Sequence, residues 1–173
     1  MDAKSDQGSP DNSTSSLKFE ARGDREIVMT RVFNAPRKLV FDALTKPELI
    51  KEWVLGPPGW TMPVCEIDLR VGGAYRFLWR HDDGKEMGSS GVYQEIVPLE
   101  RIVATERFDD AWYPGEAITT NVLVEFGDKT TLTNTLAYES KEARDGVLKS
   151  GMQAGVTATY EQLAKLLAFM LKP

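Results

Sequence analysis

Two residue types that supply much of the soft-ligand and nucleophilic chemistry of proteins are nearly missing from this chain of 173 residues: it has one cysteine, Cys65, and one histidine, His81. A lone cysteine excludes an intrachain disulfide, and one cysteine with one histidine is too few ligands for a His/Cys zinc site. Positive charge is also in deficit. Lys and Arg total 21 against 26 Asp and Glu, for a formal charge of -5. That is the opposite of the basic face that phosphate backbones require, so nucleic acid is not an expected partner. No apolar run approaches the roughly 18 residues of a membrane span. The opening Met1-Asp2-Ala3-Lys4-Ser5-Asp6 lacks the apolar segment of a signal peptide. The expectation is a cytoplasmic protein with no membrane partner, no metal and no cofactor.

What is present suffices for one core. Hydrophobic residues make up 42% of the chain and aromatics 9%, a supply that fits a single domain of this length. The first 16 or so residues are almost wholly Asp, Ser, Gly, Asn, Thr, Gln and Pro. Such a stretch buries too little apolar surface to offset the entropy of ordering it. Residues 1–24 are therefore read as a disordered polar tail and 25–173 as one domain.

Within that domain the hydrophobic period changes in a definite order. Glu26 to Phe33 is rich in β-branched and apolar residues and reads as a strand, closed by Asn34-Ala35-Pro36. Leu39, Val40, Ala43 and Leu44 recur at helical spacing over about 36–44. Thr45-Lys46-Pro47-Glu48 has capping-box spacing and opens a second short helix to Trp53, which Gly56-Pro57-Pro58-Gly59 terminates. Then the period becomes two. Cys65, Ile67, Leu69 and Val71 alternate with charged residues, and after Gly72-Gly73 the residues Tyr75, Phe77 and Trp79 share one face. Further strands are expected at about 86–97, 101–109, 118–126 and 129–138. Ser140 can cap a short segment at about 141–148, and Met152, Val156, Tyr160, Leu163, Leu167 and Met170 form one apolar stripe on a long final helix. Strand, two short helices, strands, long helix implies an α+β domain: a curved antiparallel sheet of about seven strands wrapped around the C-terminal helix.

Several segments in this order resemble a known family. They are Arg31-Val32-Phe33-Asn34-Ala35-Pro36-Arg37 with Val40-Phe41-Asp42-Ala43, Trp53 before Gly56-Pro57, and Gly72-Gly73-Ala74-Tyr75-Arg76-Phe77. Later come Gly91-Val92-Tyr93-Gln94-Glu95-Ile96, Glu100-Arg101-Ile102 leading to Thr105-Glu106, and Ser150-Gly151-Met152-Gln153-Ala154-Gly155. Together, over about residues 25–170, they resemble the activator of heat-shock-chaperone ATPase homologue-like branch of the SRPBCC superfamily. The resemblance implies a helix-grip, or START-like, fold with an elongated cavity between sheet and C-terminal helix, and it suggests a place in the stress response. It implies no single reaction, because the superfamily hosts carriers, receptors, cyclases and chaperone activators.

Polar residues that interrupt apolar strand faces point to a cavity, since a buried polar group is costly unless something answers it. Four stand out: Arg31, Gln94, Glu106 and Asn134. The alternative is a wrong face, or structural pairing of Arg31 and Glu106 with each other or with neighbours. The family resemblance also falls on Glu106. Among the four tryptophans, Trp60 and Trp112 suit the rim of a ligand mouth, while Trp53 and Trp79 suit the core as well as a cavity wall. Gly151 and Gly155 either let the last helix approach the sheet or leave room for a ligand. No nucleophile sits beside a base, and Asp82-Asp83 and Asp109-Asp110 read as solvated turns.

The ligand-binding set expected from the sequence is thus Trp53, Trp60, Phe77, Trp79, Glu106, Trp112, Asn134, Met152 and Val156, with no catalytic set. Three functions are open. The first is non-catalytic binding of a small hydrophobic or aromatic molecule. The second is a co-chaperone that stimulates a chaperone ATPase, and the third a cyclase- or hydrolase-type enzyme with Glu106 as acid or base. Loop aromatics and an open sheet edge also suit a homodimer.

Overall fold

The computed structural model describes residues 16–173; the polar stretch expected at the start lies, up to residue 15, outside the described residues. Twelve elements follow, beginning with β1 (Lys18–Arg22), β2 (Glu26–Phe33), α1 (Arg37–Thr45) and α2 (Pro47–Trp53). A run of strands comes next: β3 (Trp60–Ile67), β4 (Ala74–His81), β5 (Glu86–Val97), β6 (Arg101–Phe108), β7 (Ala117–Phe126) and β8 (Lys129–Ala137). The chain ends in α3 (Lys141–Lys149) and α4 (Met152–Met170). All eight strands form one sheet, ordered β1-β2-β8-β7-β6-β5-β4-β3, with antiparallel neighbours throughout. The helices cover one face, α4 lying against α1, α2 and α3.

One strand was not expected. Residues 18–22 pair with β2, Phe19 opposite Met29, so the tail boundary at residue 24 is too late and the sheet has eight strands instead of about seven. The strand is short and mostly exposed, and its pairing with β2, not a core of its own, holds it. Buried Arg144 of α3 fastens the turn after it, donating from Nη1 to the carbonyl oxygens of Gly23 (2.9 Å) and Glu26 (3.0 Å).

Three other boundaries shift for local reasons. Thr45 does not cap α2: its hydroxyl donates to the Phe41 carbonyl oxygen at 2.8 Å, closing α1, and Lys46 takes the cap position without a side-chain bond. The strand expected up to Val71 ends at Ile67, and Leu69 and Val71 are exposed in the turn that follows. It begins instead at Trp60. Pro63 sits within a register shift between Thr61 and Val64 on the edge of the sheet, where a missing N–H costs least. Ser140 does cap α3, accepting from the Ala143 amide at 3.0 Å.

Two apolar clusters result. The larger lies between sheet and α4, with Phe33, Leu132, Leu163 and Leu167 almost fully buried. Tyr160 of α4 meets Phe33 edge-on (6.1 Å) and stacks on Trp53 (6.2 Å). The smaller cluster packs Ile50, Met62, Cys65 and Trp79 under α2. Cys65 is a packed thiol whose pKa burial pushes up.

Candidate functional site

The C-terminal half of α4 is clamped to the sheet and its N-terminal half is not. Tyr160, Leu163 and Leu167 are buried, whereas Met152 and Val156 are only partly covered. Between that half-helix and the sheet lies a cavity of about 400 Å³, within the range of small-molecule sites. Its floor comes from alternate residues of the central strands: Ile102, Ala104, Glu106 and Phe108 on β6, Thr119 and Asn121 on β7, Asn134 and Leu136 on β8. Tyr75 and Phe77 of β4 and Tyr93 of β5 form one wall, Trp53 and α4 another, and Trp112 and Tyr113 in the loop before β7 stand at one end. Trp112 is half exposed there, its ring 4.9 Å from Phe108.

The floor carries two polar zones. In one, Asn134 donates both amide hydrogens, to Thr119 Oγ1 at 3.0 Å and to Asn121 Oδ1 at 2.7 Å. That network is satisfied on its donor side and fixes the amide orientation. The other zone is not satisfied. Glu106 is half-buried, the one charged residue on the lining. Loss of solvent raises its carboxyl from 4.5 to about 7. Three phenols feel its charge: Tyr75, Tyr113 and Tyr138 are all raised, by burial first and by Glu106 second. Tyr75 donates its hydroxyl to the Thr105 carbonyl oxygen at 2.8 Å. The buried Tyr113 hydroxyl has no hydrogen-bond partner. No group of three or more His, Cys, Asp or Glu among the described residues can hold a metal ion.

With this geometry in hand, comparison with known proteins decides the family. The sequence model described as Activator of Hsp90 ATPase homolog 1-like protein matches residues 34–168. The chain belongs to that family. Solved structures share its fold across the whole domain. A Rhodobacter sphaeroides protein, 27% identical, superposes with a TM-score of 0.83 over 88% of this chain and 98% of its own. One from Chromobacterium violaceum is 32% identical with a TM-score of 0.70, covering 84% of this chain and 98% of its own. A Nitrosomonas europaea protein at 24% identity and TM-score 0.76, covering 87% and 98%, shows the fold alone. A search of curated proteins finds no match.

In this family member the nine expected site residues divide. Trp53, Phe77, Glu106, Trp112, Asn134, Met152 and Val156 all line the cavity. Trp53 is core and wall at once, its indole donating to the Ala43 carbonyl oxygen at 2.9 Å. Trp60 and Trp79 lie outside. Trp79 belongs to the smaller cluster and donates to the Val54 carbonyl oxygen at 2.7 Å, while Trp60 packs 5.1 Å from the His81 ring. Ile50 of that cluster, and Val54, Phe77 and Phe108 packed against it, also line the cavity, so they lie where the two Trp rings would otherwise meet it.

The other polar interruptions separate as well. Gln94 is exposed, since it is the extra residue of a bulge between Tyr93 and Glu95, and a bulge reverses the alternation used to place it. Arg31 is 1% exposed but pairs with Glu161 of α4 at 2.8 Å, not with Glu106, and its guanidinium lies 5.2 Å from the Phe33 ring centre. Gly151 and Gly155 face open space, so neither permits a close helix approach. Sequence reasoning missed Tyr113, Tyr138 and Asn121. Tyr113 adjoins Trp112, and Thr119, Asn121 and Leu123 alternate along β7, so both signals were present. No described helix is long and apolar enough to cross a membrane.

Proposed function

We propose that this protein binds a small, largely apolar or aromatic molecule in the cavity between α4 and the sheet. The observation that carries the proposal is an open, aromatic-walled space of about 400 Å³ in the middle of an otherwise close-packed domain. Protein interiors rarely leave such space unfilled without use. Its few polar groups sit at fixed places on the floor, which suits orientation of a ligand more than general solvation. Family membership fits binding of this kind.

The test is native mass spectrometry of gently purified protein, followed by denaturing extraction. A stoichiometric adduct of a few hundred daltons is expected. A clean unliganded mass from several expression hosts would count against the proposal.

The family name motivates a second role, that of a co-chaperone. An ATPase assay with the cognate chaperone distinguishes it: stimulation by wild type that survives blocking of the cavity would favour a protein partner over a ligand.

A further inference from the structure

Nine of the 24 residues on the cavity wall are aromatic, and none is Lys, Arg or His. Glu106 is therefore a carboxylate without a counter-charge, in surroundings where a lone charge is costly. Every phenol that senses it, Tyr75 from β4, Tyr113 from the β6–β7 loop and Tyr138 beyond β8, can offer a ring face or an edge but no positive charge. The nearest cation along β6, Arg107, is exposed and pairs with Glu116 at 4.0 Å. Ring faces attract cations, and a desolvated carboxylate attracts them more strongly.

We propose that the ligand of this cavity carries one positive charge, as an organic ammonium on an aromatic or apolar body, with the ammonium seated between Glu106 and the ring faces of Tyr113 and Tyr138. The inference rests on the cavity-binding role above and specifies its ligand class. The unpartnered Tyr113 hydroxyl supplies a second polar contact for the same end of the ligand. Anionic amphiphiles such as fatty acids are disfavoured by the same charge. The net charge of -5 also favours approach of a cation over an anion.

The probes are naphthylethylamine, its neutral counterpart naphthylethanol and the anion naphthylacetate, titrated by calorimetry into the full chain at pH 5 to 8. The cavity phenols Tyr75, Tyr93, Tyr113, Tyr138 and Tyr160 are all raised and stay neutral over this range, leaving Glu106 as the cavity group that titrates. At pH 8 the amine should bind about tenfold or more tighter than the alcohol. Below about pH 7 that preference should fall, approaching tenfold per pH unit as Glu106 protonates. In Glu106→Gln the preference for the amine over the alcohol should be lost at every pH in the series. Equal binding of amine and alcohol at pH 8, or tightest binding of naphthylacetate, overturns the ammonium assignment and leaves the cavity proposal standing. Binding of none of the three at millimolar concentration overturns both. The wild-type pH series decides the question even if the variant fails to fold.

Discussion

Replacing Glu106 with Gln tests whether the cavity floor is as dry as its geometry implies. Glutamine has the shape of a protonated glutamate, so the substitution removes the charge and little else. In the native protein the Glu106 carboxyl titrates at about 7, against an ordinary value of 4.5. That rise, at about 1.4 kcal/mol per pH unit, makes the cost of holding Glu106 ionised about 3 to 4 kcal/mol. Below pH 4.5 both folded and unfolded chains are protonated there, and no cost arises. Between 4.5 and about 7 the unfolded chain ionises while the folded one does not, so wild type loses stability against the variant as pH rises. Above about 7 the folded form ionises too and the gap levels off. Urea denaturation of both proteins at pH 5, 6, 7 and 8 measures it, since titrations elsewhere cancel in the difference. The variant should gain about 2 to 3 kcal/mol on wild type between pH 5 and pH 8. A difference that stays flat across the series would show Glu106 to be solvated and would refute a desolvated floor.

Three further outcomes are expected. Tyr113→Phe removes a buried hydroxyl that nothing answers; it should leave the unliganded protein as stable or more stable by up to about 1 kcal/mol, and weaken amine binding in the same sample. Arg31 is buried while Glu161 is half exposed, so Glu161→Gln, which strands a buried guanidinium, should cost about 2 to 4 kcal/mol in urea denaturation, and Arg31→Met clearly less. Gly91→Ala would drive a methyl group into the Thr105 carbonyl oxygen and the Tyr75 ring. It should cost about 3 kcal/mol or more, and a loss below about 1 kcal/mol would mean that the β4–β5–β6 packing is misread.

The fold was legible because its elements obey simple periods. The apolar stripe of α4, the Ser140 cap and the alternation of β4 and β6 each follow from one local rule, and each is found in place. What was illegible arose where a long-range partner overrode the local signal. β1 exists because β2 offers an edge, although Leu17, Phe19 and Ala21 alternate in the sequence and hinted at it. The Gln94 bulge is set by pairing with β6, which a strand cannot announce alone. Arg31 could be recognised as an inward polar residue, but its partner lies 130 positions away on another element.

The site divides in the same manner. Glu106 and Asn134 interrupt apolar faces of central strands, where inside and outside are fixed by burial, and both reach the cavity floor. Trp60 misled because closeness to a loop does not say which neighbour a ring will pack on, here His81, and Trp79 because the face it shares with Tyr75 and Phe77 runs on past the cavity into the smaller cluster. Tyr113 and Tyr138 were passed over because neither breaks an apolar pattern; their role comes from meeting edge-to-face at 5.2 Å beside a carboxylate on another strand.

The most direct test of the central claim is where a ligand sits, and the methionines report it. Met29 and Met152 line the cavity, whereas Met62 and Met87 lie in the smaller cluster and on the exposed sheet. With methyl-labelled methionine, titration with naphthylethylamine at pH 8 should shift the Met29 and Met152 methyl resonances, saturably and together, and leave Met62 and Met87 in place. Shifts confined to Met62 or Met87, or no saturable shift at Met29 and Met152, would contradict a ligand between α4 and the sheet.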